Sequence, residues 1–97
     1  MATYIVLIRW TPQGIENIRE SPGRLDAFKN LVREQGGEVK AFYMVTGQYD
    51  GVTIIDAPGD EAVAKAVLAA GGQGNVRTET LRAFSEEEYR KIVTALP

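Results

Sequence analysis

Thr3-Tyr4-Ile5-Val6-Leu7-Ile8-Arg9-Trp10 carries aromatic, β-branched and aliphatic side chains without a break from Tyr4 to Ile8. That composition suits a strand and has no helical spacing. Successive side chains of a strand point to opposite faces, so Ile5 and Leu7 share one face while Tyr4, Val6, Ile8 and Trp10 share the other. Both faces are apolar. A sheet built on this strand, β1, must be covered on both sides.

Outward from β1, Thr11-Pro12 is a helix start, because the hydroxyl can accept an unpaired backbone N–H and proline suits the first turn. Ser21-Pro22 repeats the signal, and Leu25, Phe28, Leu31 and Val32 keep helical spacing up to Gly36-Gly37. A kinked or two-piece helix is predicted. A second strand, β2, is expected from Val39 to Val45, with Val39, Ala41, Tyr43 and Val45 on one face and Lys40, Phe42 and Met44 on the other. Gly47 to Gly51 turns the chain into β3, expected from Val52 to Ala57, and the two should form an antiparallel hairpin. Asp60 opens a helix with an apolar stripe at Val63, Ala66, Val67 and Ala70; glycines 71, 72 and 74 make a loop, and β4 is expected from Val76 to Phe84. Ser85 with Glu88 reads as a capping box ahead of a terminal helix lined by Tyr89, Ile92, Val93 and Leu96.

The order predicts an α+β chain, a ferredoxin-like βαββαβ unit with an antiparallel four-stranded sheet and an added C-terminal helix, one domain spanning residues 1–97. Two right-handed crossovers put both intervening helices on one sheet face and β1 and β3 at the centre, where those two strands are expected to run parallel. With Ile5 and Leu7 on one face of β1 and Tyr4, Val6, Ile8 and Trp10 on the other, and apolar residues on both faces of β2, the face the helices leave open is apolar as well. Each buried aliphatic or aromatic side chain contributes roughly 1.5–3 kcal/mol, so leaving several in water forgoes much stability and makes a sticky patch. A homodimer through this face is expected; the alternative is that the terminal helix folds back over it.

The chain has 97 residues, is 44% hydrophobic and carries a formal net charge of −2, which suits one small domain with no basic footprint for nucleic acid. Without histidine or cysteine it lacks the ligands of a Cys/His zinc site, an iron–sulfur site or a His-ligated haem, and the groups of a Cys-His or Ser-His-Asp system. No cofactor or metal is expected. The absence of cysteine fits a reducing cytoplasm, and no signal-like or membrane-spanning apolar run is present.

The turn Gly47-Gln48-Tyr49-Asp50, the opening Thr11-Pro12-Gln13-Gly14 and the run Gly74-Asn75-Val76-Arg77-Thr78-Glu79-Thr80 together resemble the GYD-domain family across almost the whole chain. The resemblance implies a ferredoxin-like fold of the dimeric α+β barrel type. It implies little about reaction, since that architecture also serves cofactor-independent monooxygenases, lactone isomerases, haem-handling enzymes and small-molecule-sensing domains. Two functions are carried forward: a homo-oligomeric domain binding a small organic or anionic ligand, and a cofactor-independent isomerase or monooxygenase using Tyr49, Asp50 and Arg82 or the helix–sheet cavity.

Two candidate sites follow from the expected topology. Tyr49 and Asp50 are placed near Thr3 and Arg82, with Asp50 positioned by Arg82 and Tyr49 donating a proton or touching ligand; structurally, Asp50 could instead bond backbone amides of the turn. At the other end, Thr11, Gln13 and Gly14 meet Asn75 and Arg77, which could hold a carboxylate or phosphate or could simply cap and tie the loops. Trp10 and Tyr43 are candidates for lining a helix–sheet cavity, with core packing as the other reading. Glycines 71, 72 and 74 run from helix into strand, the wrong direction for a phosphate loop. Glu86, Glu87 and Glu88 fit a helix N-terminus, and Asp56, Asp60 and Glu61 form at most a weak cation cluster.

Overall fold

The computed structural model describes Met1–Pro97. The chain runs β1 (Ala2–Trp10), α1 (Pro12–Glu16), a 3-10 turn (Ile18–Glu20), α2 (Ser21–Glu34), β2 (Glu38–Met44), β3 (Gly51–Ala57), α3 (Asp60–Gly71), β4 (Val76–Ala83) and α4 (Glu86–Thr94). The predicted two-piece helix is α1 and α2, separated where Asn17 leaves helical geometry at φ −108°. After α2 the chain turns through Gly36 at φ +83°, a conformation glycine adopts without strain.

The sheet order is β2-β3-β1-β4 and every neighbouring pair is antiparallel, the ferredoxin-like arrangement. The expected parallel pairing of β1 with β3 is therefore corrected. Each crossover skips one strand, so β1 and β2 run the same way, and the hairpin reverses β3 against both. Ile8 faces Gly51 and Ala2 faces Ala57, which puts the β2–β3 turn where β1 finishes.

Tyr4 and Val6 of β1, Ile55 and Ala57 of β3, Phe28 and Val32 of α2 and Val63 and Ala66 of α3 form the core on one side of the sheet. Thr53 is buried among them at no cost to its hydroxyl, which donates to the Val6 carbonyl at 3.2 Å. On the other side, Ala41, Ile54, Ile5 and Leu81 lie in register across all four strands, with Tyr43, Val52 and Leu7 beside them.

A bulge between Val39 and Ala41 alters the expected faces of β2. Val39 sits opposite Ile55 and Phe42 opposite Thr53, both on the helix side, while Ala41 and Tyr43 turn to the open side. One extra residue shifts the alternation by one.

The alternative of a folded-back terminal helix is not realised. No residue of α4 is buried, and Tyr89, Ile92, Val93 and Leu96 are 46–65% exposed. The radius of gyration, 14.5 Å, exceeds the roughly 13 Å of a compact domain this long, as a projecting helix requires.

Candidate functional site

Because β3 opposes β1, the turn over residues 47–50 meets the far end of β1. The Asp50 carboxylate accepts the Trp10 N–H at 2.9 Å, its own N–H donates to the Ile8 carbonyl at 2.8 Å, and its carbonyl accepts the Val45 N–H at 2.9 Å. Asp50 thus closes the β1–β3 ladder one step beyond its last residue pair, using a side chain where backbone can no longer reach. Tyr49 reaches across β1 on the open face of the sheet. Its hydroxyl donates to Glu79 at 3.1 Å, and the Arg9 guanidinium stacks 4.6 Å from its ring centre while donating to the Gln48 carbonyl at 2.8 Å. Arg9 lies directly opposite Arg77, and with Tyr49 and Glu79 they border a shallow cleft of about 170 Å³.

The expected contact of Asp50 with Arg82 does not form. Arg82 pairs in register with Tyr4, stacks on Phe84 at 4.4 Å and donates to the Thr3 carbonyl at 3.3 Å, at the end of the sheet where β1 begins. The reversal of β3 accounts for the separation. Tyr49, Asp50, Thr11, Asn75 and Arg77, expected at two ends, come together at one.

Thr11 and Asn75 are occupied with each other's loops. The Thr11 N–H donates to the Asn75 carbonyl at 3.1 Å, its hydroxyl donates to Gly74 at 2.6 Å, and the same oxygen accepts the Gly14 N–H at 3.1 Å. Gln13 adds bonds of 3.0 Å to Gln73 and Asn75. Gly14 lies so close that an added Cβ would stand 2.1 Å from the Asn75 carbonyl oxygen. This geometry welds the start of α1 to the start of β4 and engages the Thr11 and Gly14 N–H groups within the fold. Arg77 points to the open face, away from that weld.

A second space lies between α2 and the sheet. It measures about 80 Å³ and is lined chiefly by Val6, Ile8, Trp10, Leu25, Phe28 and Phe42. Trp10 takes part as expected; Tyr43 does not, because the β2 bulge turns it outward and Phe42 inward. Arg24 also borders this cavity, its side chain only 20% exposed.

With this geometry in place, the chain matches the GYD domain over residues 4–93. It belongs to the GYD domain family. It is 38% identical over 85 residues to the glutamine synthetase and cystathionine beta-lyase binding protein of Thermus thermophilus, covering 87% of this chain and 90% of that one. It is also similar to the crystal structure of TTHA0845 from Thermus thermophilus, at 31% identity and a TM-score of 0.55, over 88% of this chain and 95% of that one.

In this GYD domain the Tyr-Asp pair of the turn acts on the fold itself, joining β1, β3 and β4. The carboxylates at the other end are similarly engaged. Asp56 accepts the Thr3 hydroxyl at 3.0 Å, and Asp60 accepts the Tyr4 hydroxyl, an interaction that with burial raises the Tyr4 phenol above its ordinary range. Glu88 closes the predicted capping box with Ser85, and the Ser85 backbone N–H holds its carboxyl below the usual carboxylate range. No helix is long and apolar enough to cross a membrane.

Arg9, Glu79, Arg24 and Phe42 border these spaces although their sequence positions mark the first two and Phe42 only as strand residues. Arg24 had a signal: with Ser21, Leu25 and Phe28 it shares an i, i+3, i+4, i+7 face.

Proposed function

We propose that this GYD domain is the subunit of a cytoplasmic homodimer, joined through the sheet face opposite α2 and α3, and that the dimer works by binding another protein. The observation that carries the dimer is the doubly apolar sheet together with α4. The Ala41-Ile54-Ile5-Leu81 row has no helix of its own chain over it, and Leu81 is 42% exposed. The nine-residue α4 is shorter than the roughly 12–15 residues at which an isolated helix becomes even marginal, and its apolar stripe is bare. A second copy offers the same two surfaces and satisfies both by symmetry. The Thermus relative is named for binding two enzymes, glutamine synthetase and cystathionine beta-lyase, which supports an enzyme of amino-acid metabolism as the partner.

Light scattering at micromolar concentration should give twice the 10.6 kDa chain mass, and Ile54→Lys should give a folded monomer. A monomeric wild type, or a dimeric Ile54→Lys, overturns the sheet-face dimer. Calorimetry of the dimer against purified glutamine synthetase from the same source tests the partner; no heat overturns that assignment.

The helix–sheet cavity supports a second reading, a small organic ligand held inside each subunit. For the alternative of a cofactor-independent enzyme, Tyr49, Asp50 and Arg82 cannot act together, because Arg82 lies at the opposite end of β1, and the helix–sheet cavity is the seat left to it.

A further inference from the structure

We propose that the cavity between α2 and the sheet takes a small carboxylic acid with a compact apolar body, and that Arg24 receives its carboxylate. This names the ligand class for the small-ligand reading above and rests on it. The space of about 80 Å³ is several times the roughly 10–15 Å³ that one water requires, and its walls of Val6, Ile8, Phe28 and Phe42 give water few partners. It is smaller than the roughly 150 Å³ of an engineered cavity that binds benzene, a size that suits the short branched tail of a ligand whose carboxylate lies outside the apolar space.

Arg24 supplies the polar end. The Gly14 carbonyl accepts from it at 3.3 Å and the Asn17 carbonyl at 3.0 Å, fixing the guanidinium plane without neutralising its charge. The nearest carboxylate, Glu20, stands at 3.9 Å and is 76% exposed, beyond hydrogen-bond reach. A guanidinium has five N–H groups, so most of its donors remain for a ligand, and a planar carboxylate matches their spacing. Helical spacing puts Arg24 on the same face of α2 as Leu25 and Phe28, so one molecule can touch charge and apolar wall together.

The test compares 3-methylbutanoate with 3-methylbutan-1-ol, the same carbon skeleton without charge, by calorimetry and by the fluorescence of Trp10, the one tryptophan. Wild type should bind the acid saturably and at least tenfold more tightly than the alcohol. Arg24→Met, which keeps the aliphatic stem, should erase that preference, and Ala70→Leu, at a residue that lines the cavity from α3, should fill it and abolish binding of both. Equal affinity for acid and alcohol in wild type leaves the small-ligand reading standing and overturns the carboxylate assignment. A preference retained in Arg24→Met removes Arg24 as the seat, and undiminished binding by Ala70→Leu removes the cavity. Failure of both compounds to bind wild type at millimolar concentration overturns the small-ligand reading as well.

Discussion

Replacing Asp50 separates a structural carboxylate from a chemical one. The Asp50 side chain accepts the Trp10 N–H at 2.9 Å in a half-buried setting. A hydrogen bond to a charged group contributes about 1.5–3 kcal/mol and a neutral one about 0.5–1.5 kcal/mol. Asp50→Ala should therefore cost about 2 kcal/mol, and Asp50→Asn, which keeps an acceptor oxygen in place, about 1 kcal/mol. With a urea dependence of about 1–3 kcal/mol per molar, the alanine variant should lose on the order of 1 M in unfolding midpoint and the asparagine variant about half of that. Trp10 reports the transition by fluorescence, and hydrogen exchange at its amide reads the broken bond directly. Protein concentration is held fixed, so that the proposed dimerisation contributes equally to every variant. If Asp50→Ala unfolds within about 0.5 kcal/mol of wild type, as an ordinary surface change does, the ladder-closing role is refuted. Lost ligand binding at unchanged stability would return Asp50 to a functional role.

Gly14→Ala should destabilise by about 1–3 kcal/mol, since its Cβ would stand 2.1 Å from backbone, whereas Gly23→Ala on α2 has open space and should be neutral or stabilising; paired urea titrations check both. The Tyr4 phenol is raised first by its bond to Asp60 and then by burial, so the folded chain holds that proton more tightly than the unfolded one. Its contribution is complete below roughly pH 10 and falls as pH rises from there through the higher folded value, and the urea midpoint of Tyr4→Phe should lack this alkaline component. Ser85→Ala opens the capping box and should reduce the helical circular dichroism signal of α4; because Glu88 is held low, acidification through the carboxylate range should fray wild type in the same way.

Local chemistry made most elements legible. The apolar run of β1, the Thr11-Pro12 start and the Ser85–Glu88 box each specify an element through their own neighbours, and the structure contains all of them; α2 does begin at Ser21-Pro22, but Ser21 is already in helical geometry and its hydroxyl caps nothing. Strand direction and register depend on distant pairing and were less accessible. Reading β1 and β3 as parallel sent Asp50 to Arg82, whereas the antiparallel pair brings it to Trp10. The β2 bulge carries no glycine to announce it: Lys40 lies in an otherwise alternating strand, and only the pairing of Val39 with Ile55 and of Phe42 with Thr53 reveals the extra residue. Arg24 was readable from helical spacing, but its partial burial depends on the folding of α1 and the following turn against it, where Gly14 and Asn17 accept its bonds.

The same bulge shapes how copies of the chain can meet. β2 is one outer margin of the sheet, and an outer strand ordinarily offers unpaired backbone groups to any similar strand nearby. The irregularity at Lys40 disrupts that row and sets a charged side chain beside it. Side-by-side joining, which could continue into a ribbon, is discouraged along this margin, while stacking of broad surfaces ends once two are together. A one-residue misalignment thus guards against open-ended growth.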